Sequence, residues 1–186
     1  MKKLILLVIS LSVLIGIIST YSAEALERKK PIESITVMPP EQVVKNELYE
    51  ITVRPVCHTV GKKAQGPNRC TGFDLTIENK SSQDIQVVWD KTMFINQSNT
   101  DGGFMFQGIV YKDRNNPKPP DIVFPKAKFN RVILPNNLVE YMGAKWGGWF
   151  HNSMNNGDFG VYLTLLVNGV EKHEKMTMSF TAKTAP

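Results

Sequence analysis

The chain has 186 residues, of which 42% are hydrophobic and 21% charged, with 13 Gly and 11 Pro. Those proportions exclude a collagen-like, low-complexity or wholly disordered chain, and the length suits one domain. The formal charge of +5, from 22 Lys and Arg against 17 Asp and Glu, is too small an excess for a nucleic-acid binder.

Met1-Lys2-Lys3 is a short positive start, and Leu4 to Ile18 is an uncharged, mostly aliphatic run. Ser19-Thr20-Tyr21-Ser22 and the small-residue triplet Ala23-Glu24-Ala25 follow. This is the layout of a secretory signal peptide cleaved after Ala25. An uncleaved anchor is the alternative, but the apolar run falls short of the ~20 residues a spanning helix needs. No Cys follows the run, so a lipid anchor on a processed N-terminal Cys is not expected. Cleavage leaves 161 residues with a charge of +4, since Lys2, Lys3 and Glu24 go with the leader. The Lys- and Asn-rich composition and compact leader point to a bacterium, and so to a periplasmic or secreted address. No stable membrane anchor is expected after cleavage.

Residues 26–47 are charged and carry Pro31, Pro39 and Pro40, which reads as a linker or N-terminal arm. Ser34 to Met38 could add an edge strand. The expected domain is 48–186. Tyr49, Ile51 and Val53 alternate with polar neighbours, as do Phe73, Leu75 and Ile77. Such period-two runs are strand signals. Between them lie Cys57 and Cys70, the only two cysteines. An even count in an exported chain reads as a disulfide, here closing a hairpin loop. Its Cα atoms are expected about 4.4–6.8 Å apart.

Ile85, Val87 and Trp89 share one face of a further strand, which predicts that Trp89 is buried. Phe104 to Tyr111 is a strand candidate, and Lys112 to Asp121, with three prolines, belongs to neither sheet nor helix. Arg131 to Leu134 is a short strand. Val161 to Val167 and Lys175 to Thr181 flank Asn168-Gly169, a strong hairpin signal because both turn residues need positive φ. Met176, Met178 and Phe180 fall on one face, which reads as core rather than a copper site with His173. The expected fold is a single all-β sandwich of roughly eight to ten short strands, immunoglobulin-like only in the broad sense. The Cys–Trp–Cys order of antibody domains is missing, since both cysteines precede Trp89.

The sequence carries no nucleophile elbow, zinc-protease helix, phosphate loop or dinucleotide fingerprint. His58, His151 and His173 stand in no ligand spacing. No catalytic residue, cofactor or metal is therefore expected. Two features suit a binding surface. Tyr141, Trp146, Trp149 and Phe150 surround Gly147-Gly148, and such aromatics stack on sugars, anchor partners or simply cover an open end of the sandwich. The disulfide loop adds Lys62, Lys63 and Arg69, which could meet an anionic surface.

From Asn79 to Trp149 the chain resembles a group of uncharacterised exported bacterial envelope proteins, many of them lipoproteins. The carrying residues are Asn79-Lys80-Ser81, Trp89-Asp90-Lys91-Thr92-x-Phe94, Gly108-x-x-Tyr111-x-Asp113-Arg114, Pro117-x-Pro119-Pro120 and Pro135-x-Asn137. The resemblance implies a β-sandwich in the cell envelope and no established activity. It covers less than half of the chain, and the absent lipidation Cys keeps membrane anchoring from being carried over. The expected function is a non-catalytic binding or structural component of the envelope, accessory to a secretion or surface assembly. Its partner would be another envelope protein or a glycan. A carbohydrate- or wall-binding module built on Trp146 and Trp149 is the alternative, and an enzyme is a third class.

Overall fold

A computed structural model describes residues 30–185 except 63, 144, 146 and 147, and within them two antiparallel sheets pack face to face. The expected leader lies outside the described residues. The first sheet orders β1 (Ile32–Met38), β14 (Val170–Thr184), β13 (Gly157–Val167), β5 (Ile85–Val87) and β9 (Asp121–Val123). β6 (Met93–Asn96) pairs with the other half of β13, and the two-residue β7 (Asn99–Thr100) pairs with β6. The second sheet orders β2 (Gln42–Lys45), β3 (Tyr49–His58), β4 (Arg69–Asn79), β10 (Lys128–Pro135) and β8 (Phe104–Met105). A separate two-stranded ribbon joins β11 (Val139–Tyr141) to β12 (Trp149–His151). No helix among the described residues is long and apolar enough to cross a membrane.

The alternating residues meet where period-two patterning sends them. Tyr49, Ile51 and Val53 of β3 and Phe73, Leu75 and Ile77 of β4 are buried. So are Val161, Leu163 and Leu165 of β13 and Met176, Met178 and Phe180 of β14. Phe73 from the second sheet meets Phe94 from the first at 6.4 Å, and Phe94 stacks on Phe159 at 6.0 Å. The methionines are thus core residues. Asn168 and Gly169 take φ of 53° and 75°, and the β13–β14 ladder closes on them at Val167 and Val170. The sandwich begins before Leu48. β1 pairs with β14 over Ile32 to Met38, and β2 pairs with β3, so the Pro39-Pro40 step carries the chain from one sheet to the other.

Asn79, Ser81, Asp90 and Thr92 tie down the irregular middle. Asn79, fully buried, donates to the carbonyls of Gln83 and Val123 and accepts from the Ser81 amide and hydroxyl. Thr92 Oγ1 donates to the Val88 carbonyl and accepts from the Thr164 amide. Asp90 accepts from the Lys118 amide. The stretch after β8 differs from its sequence reading. The strand stops at Met105, and Tyr111–Asp113 form a 3-10 turn.

Trp89 is buried as expected, at 3% exposure, but it opens a 3-10 turn instead of extending β5. The turn divides one line of chain into β5 and β6, both paired with β13. Its indole Nε1 donates to Asp121 Oδ2 at 2.8 Å, and Asp121 Oδ1 accepts from Arg131 at 2.9 Å. The Arg131 guanidinium lies over Phe106 at 4.3 Å and Phe129 at 5.3 Å, two half-buried rings that pack against the core. Truncating Trp89 removes both the buried ring and the donor to Asp121. Trp89→Ala is expected to cost about 3–5 kcal/mol in denaturant unfolding. A loss below about 1 kcal/mol would contradict a core role.

Candidate functional site

The β3–β4 ladder ends in two cross-strand pairs, Cys57 with Cys70 and His58 with Arg69. Val56 faces Gly72, so the register shifts by one and Thr71 is an extra residue on β4. This β-bulge places the cysteines directly opposite one another. Their sulfurs are bonded at 2.02 Å, and their Cα atoms stand 4.0 Å apart. That is shorter than the separation expected from sequence, and shorter than the ~4.5 Å of an ordinary directly opposed, non-hydrogen-bonded pair. The bridge joins neighbours within one sheet and does not span the sandwich. The loop it closes is itself anchored. Asn68 bonds both backbone groups of Val60 and the Ile32 carbonyl, and the Ile35 amide donates to Pro67.

The β11–β12 ribbon docks on this end. Val139 faces His151, Glu140 faces Phe150, and Tyr141 faces Trp149. The Met154 amide donates to the Cys70 carbonyl at 2.8 Å, and the Cys70 amide donates to Ser153 Oγ at 2.9 Å. Arg69 Nη2 donates to the His151 carbonyl at 2.7 Å, and its guanidinium lies 4.5 Å from the Phe150 ring centroid. The two surfaces that looked separate in sequence are therefore one, with Arg69, Tyr141, Trp149 and Phe150 together. Trp146 and Lys63 lie outside the described residues, and Lys62 is exposed on the loop.

Sequence reasoning missed three members of this cluster. Tyr111 stacks on Trp149 with centroids 5.5 Å apart and planes at 20°. Tyr141 packs at 5.2 Å and the Arg114 guanidinium at 5.3 Å from the same indole. Tyr111 Oη and His151 Nε2 are 2.7 Å apart. Tyr111 and Arg114 belong to the G-x-x-Y-x-D-R pattern, which was the only signal available for them. His151 had none. Trp149 is half-buried beneath these partners, while Tyr141 is 59% exposed, Met142 50% and Phe150 38%. The indole is the support, and the side chains around it are the surface.

Arg69, Arg114 and Lys62 bring positive charge to this end, and Glu140 faces Phe150 across the ribbon. A pocket of about 280 Å³ opens beside it, lined by His58, Val60, Arg69, Thr71, Leu134 and His151. A larger groove of about 550 Å³ runs along β10 past Gln107, Asn130, Arg131 and Val132 and shares Leu134 with the smaller pocket. Burial, helped by the nearby Arg69 charge, holds the His151 imidazole below its ordinary value of 6.5. Its Nδ1 is buried without a partner. A single proton on Nε2 can donate to Tyr111 Oη and spares an unpaired N–H at Nδ1, which favours the neutral ring in that tautomer. Elsewhere, Lys80 and Lys45 pull the Glu50 carboxyl down to about 2.

Compared with known proteins, the chain matches no family model, no curated protein and no solved structure.

The lowered imidazole value has a defined sign. The unfolded chain takes up a proton near pH 6.5, while folded His151 resists it until a lower pH. Stability is therefore full above pH 6.5 and falls as pH drops through the folded value. Melting temperature should start to fall as pH drops below about 6.5, ahead of the glutamates, whose ordinary value is 4.5. His151→Gln should flatten that part of the curve. Parallel curves for the two proteins would show that His151 does not carry the dependence.

Proposed function

We propose that the chain is an exported, non-catalytic binding component of a bacterial envelope that engages a partner protein through its aromatic and basic end. The disulfide supports an oxidising compartment, and the leader-like segment supports export. The observation that carries the reading is the exposed set Tyr141, Met142 and Phe150, carried on and beside a ribbon with Arg69 packed on Phe150. Tyr, Met, Phe and Arg are the residue types enriched at protein interfaces. They are held on a support that is already packed. Trp149, Tyr111 and His151 form a connected layer beneath, so these contacts need little ordering on binding.

The glycan reading is supported less well. A sugar platform needs an aromatic face open to the ring of the sugar. Trp149 already holds Tyr111, Tyr141 and Arg114, and Phe150 carries Arg69. What remains exposed is a patch of edges and side-chain tips beside positive charge, which suits a protein surface better.

The test is crosslinking and capture from the native envelope with wild-type protein and the double variant Tyr141→Ala, Phe150→Ala. Both side chains are exposed, so stability should stay within about 1 kcal/mol. Recovery of the crosslinked partner should fall about tenfold or more. Equal recovery by both proteins would contradict this surface as the recognition site.

A further inference from the structure

Beside the exposed aromatics, the disulfide end of the second sheet forms a concave site whose polar groups share one character. The cross-strand pair His58 and Arg69 sets two of its walls, and Thr71 stands two residues on from Arg69, at the bulge. Leu134 enters from β10, Val60 from the disulfide loop, and His151 from the docked ribbon. Its free polar side chains are thus a guanidinium, the His58 imidazole and a hydroxyl, while the His151 ring is engaged by Tyr111 Oη. None of the described lining residues is a carboxylate.

Arg69 spends Nη2 on the His151 carbonyl, and a guanidinium has five N–H donors in a fixed fork. The His58 side chain is exposed and takes no part in the hydrogen bonds of the described residues. Thr71 adds a rotatable hydroxyl. This donor-rich set fits oxygen atoms that carry negative charge, because Arg forks match carboxylates and phosphates in charge and geometry. Val60 and Leu134 supply apolar wall for the carbon part of a ligand. At about 280 Å³ the pocket lies near the lower limit for small-molecule sites, so it suits one group rather than a chain of sugars.

We infer that this pocket binds a single oxyanion group, a carboxylate or a phosphate, held by Arg69 with His58 and Thr71. The inference rests on reading this end as a recognition surface, and it names the chemistry the partner must present there. An acidic side chain, a chain terminus or a phosphorylated group would enter the pocket while Tyr141 and Phe150 contact the surroundings.

Titration of acetate and, separately, inorganic phosphate into the intact protein, followed by the histidine ring resonances in NMR, tests it. Saturable shifts of the His58 and His151 signals are expected with at least one anion. Acetate alone would assign a carboxylate source, phosphate alone a phosphate source, and both a general oxyanion site. Arg69→Gln should weaken binding about tenfold or more, and His58→Gln about threefold. Absence of saturable shifts up to about 50 mM of either anion would overturn the proposal. So would unchanged affinity in Arg69→Gln. Should Arg69→Gln fail to fold, His58→Gln decides, because its side chain is exposed, and unchanged affinity there overturns the proposal equally. Failure of the titration leaves capture through Tyr141 and Phe150 measurable, and failure of capture leaves the titration measurable, so the two readings fall separately.

Discussion

Cys70 has every strong bonding capacity committed, and the aromatic and basic end depends on those commitments. Its sulfur is bonded to Cys57, its amide donates to Ser153 Oγ, and its carbonyl accepts from the Met154 amide. The residue is fully buried. One position therefore fixes the end of the β3–β4 ladder, the closed loop and the segment that follows β12. Arg69, one residue earlier, repeats the link by bonding the His151 carbonyl. The disulfide also restrains the unfolded chain, by about 3 kcal/mol for a loop of this size. Its larger consequence here is registration. With Cys70 held opposite Cys57, the backbone groups that receive Ser153 and Met154 stand in one place.

The sandwich itself is built on different terms. Its core is the apolar contact between β3–β4 and β13–β14, joined by Phe73, Phe94, Phe104 and Phe159. The bridge joins that core only at its edge, through buried Cys70, and no residue of the ribbon strands belongs to it. The aromatic and basic end is a second layer resting on a finished scaffold, and it holds fewer buried apolar side chains. Stability is expected to be uneven across such an arrangement, with the ribbon opening before the central ladders. This division suits the proposed binding role, because the scaffold keeps its shape while the docked segment carries the exposed aromatic side chains.

The sandwich was legible because its signals are local. Alternating runs at Tyr49 to Val53, Phe73 to Ile77 and Val161 to Val167, with Asn168-Gly169 between the last two strands, needed no long-range knowledge. The cysteine pair was legible for the same reason, since two strands and a turn-rich loop bring the ends of one hairpin together. Trp89 was placed in the core correctly but in the wrong local conformation, because a 3-10 turn of three residues leaves no periodic trace. The assembled site was harder to foresee. Tyr111 and His151 lie 40 residues apart, and Arg69 and His151 lie 82 apart, so their meeting is a property of topology alone. The bulge at Thr71 had no marker either, since a single register shift shows only in the pairing of two strands.

The dependence of the aromatic and basic end on the Cys70 junction is tested most directly by amide hydrogen exchange on the protein with the disulfide intact and after reduction under native conditions. The account predicts that reduction speeds exchange at Cys70 and Met154 and through the β11–β12 ribbon, while the central β13–β14 ladder keeps its protection. Unchanged exchange at Met154 and across the ribbon would contradict it.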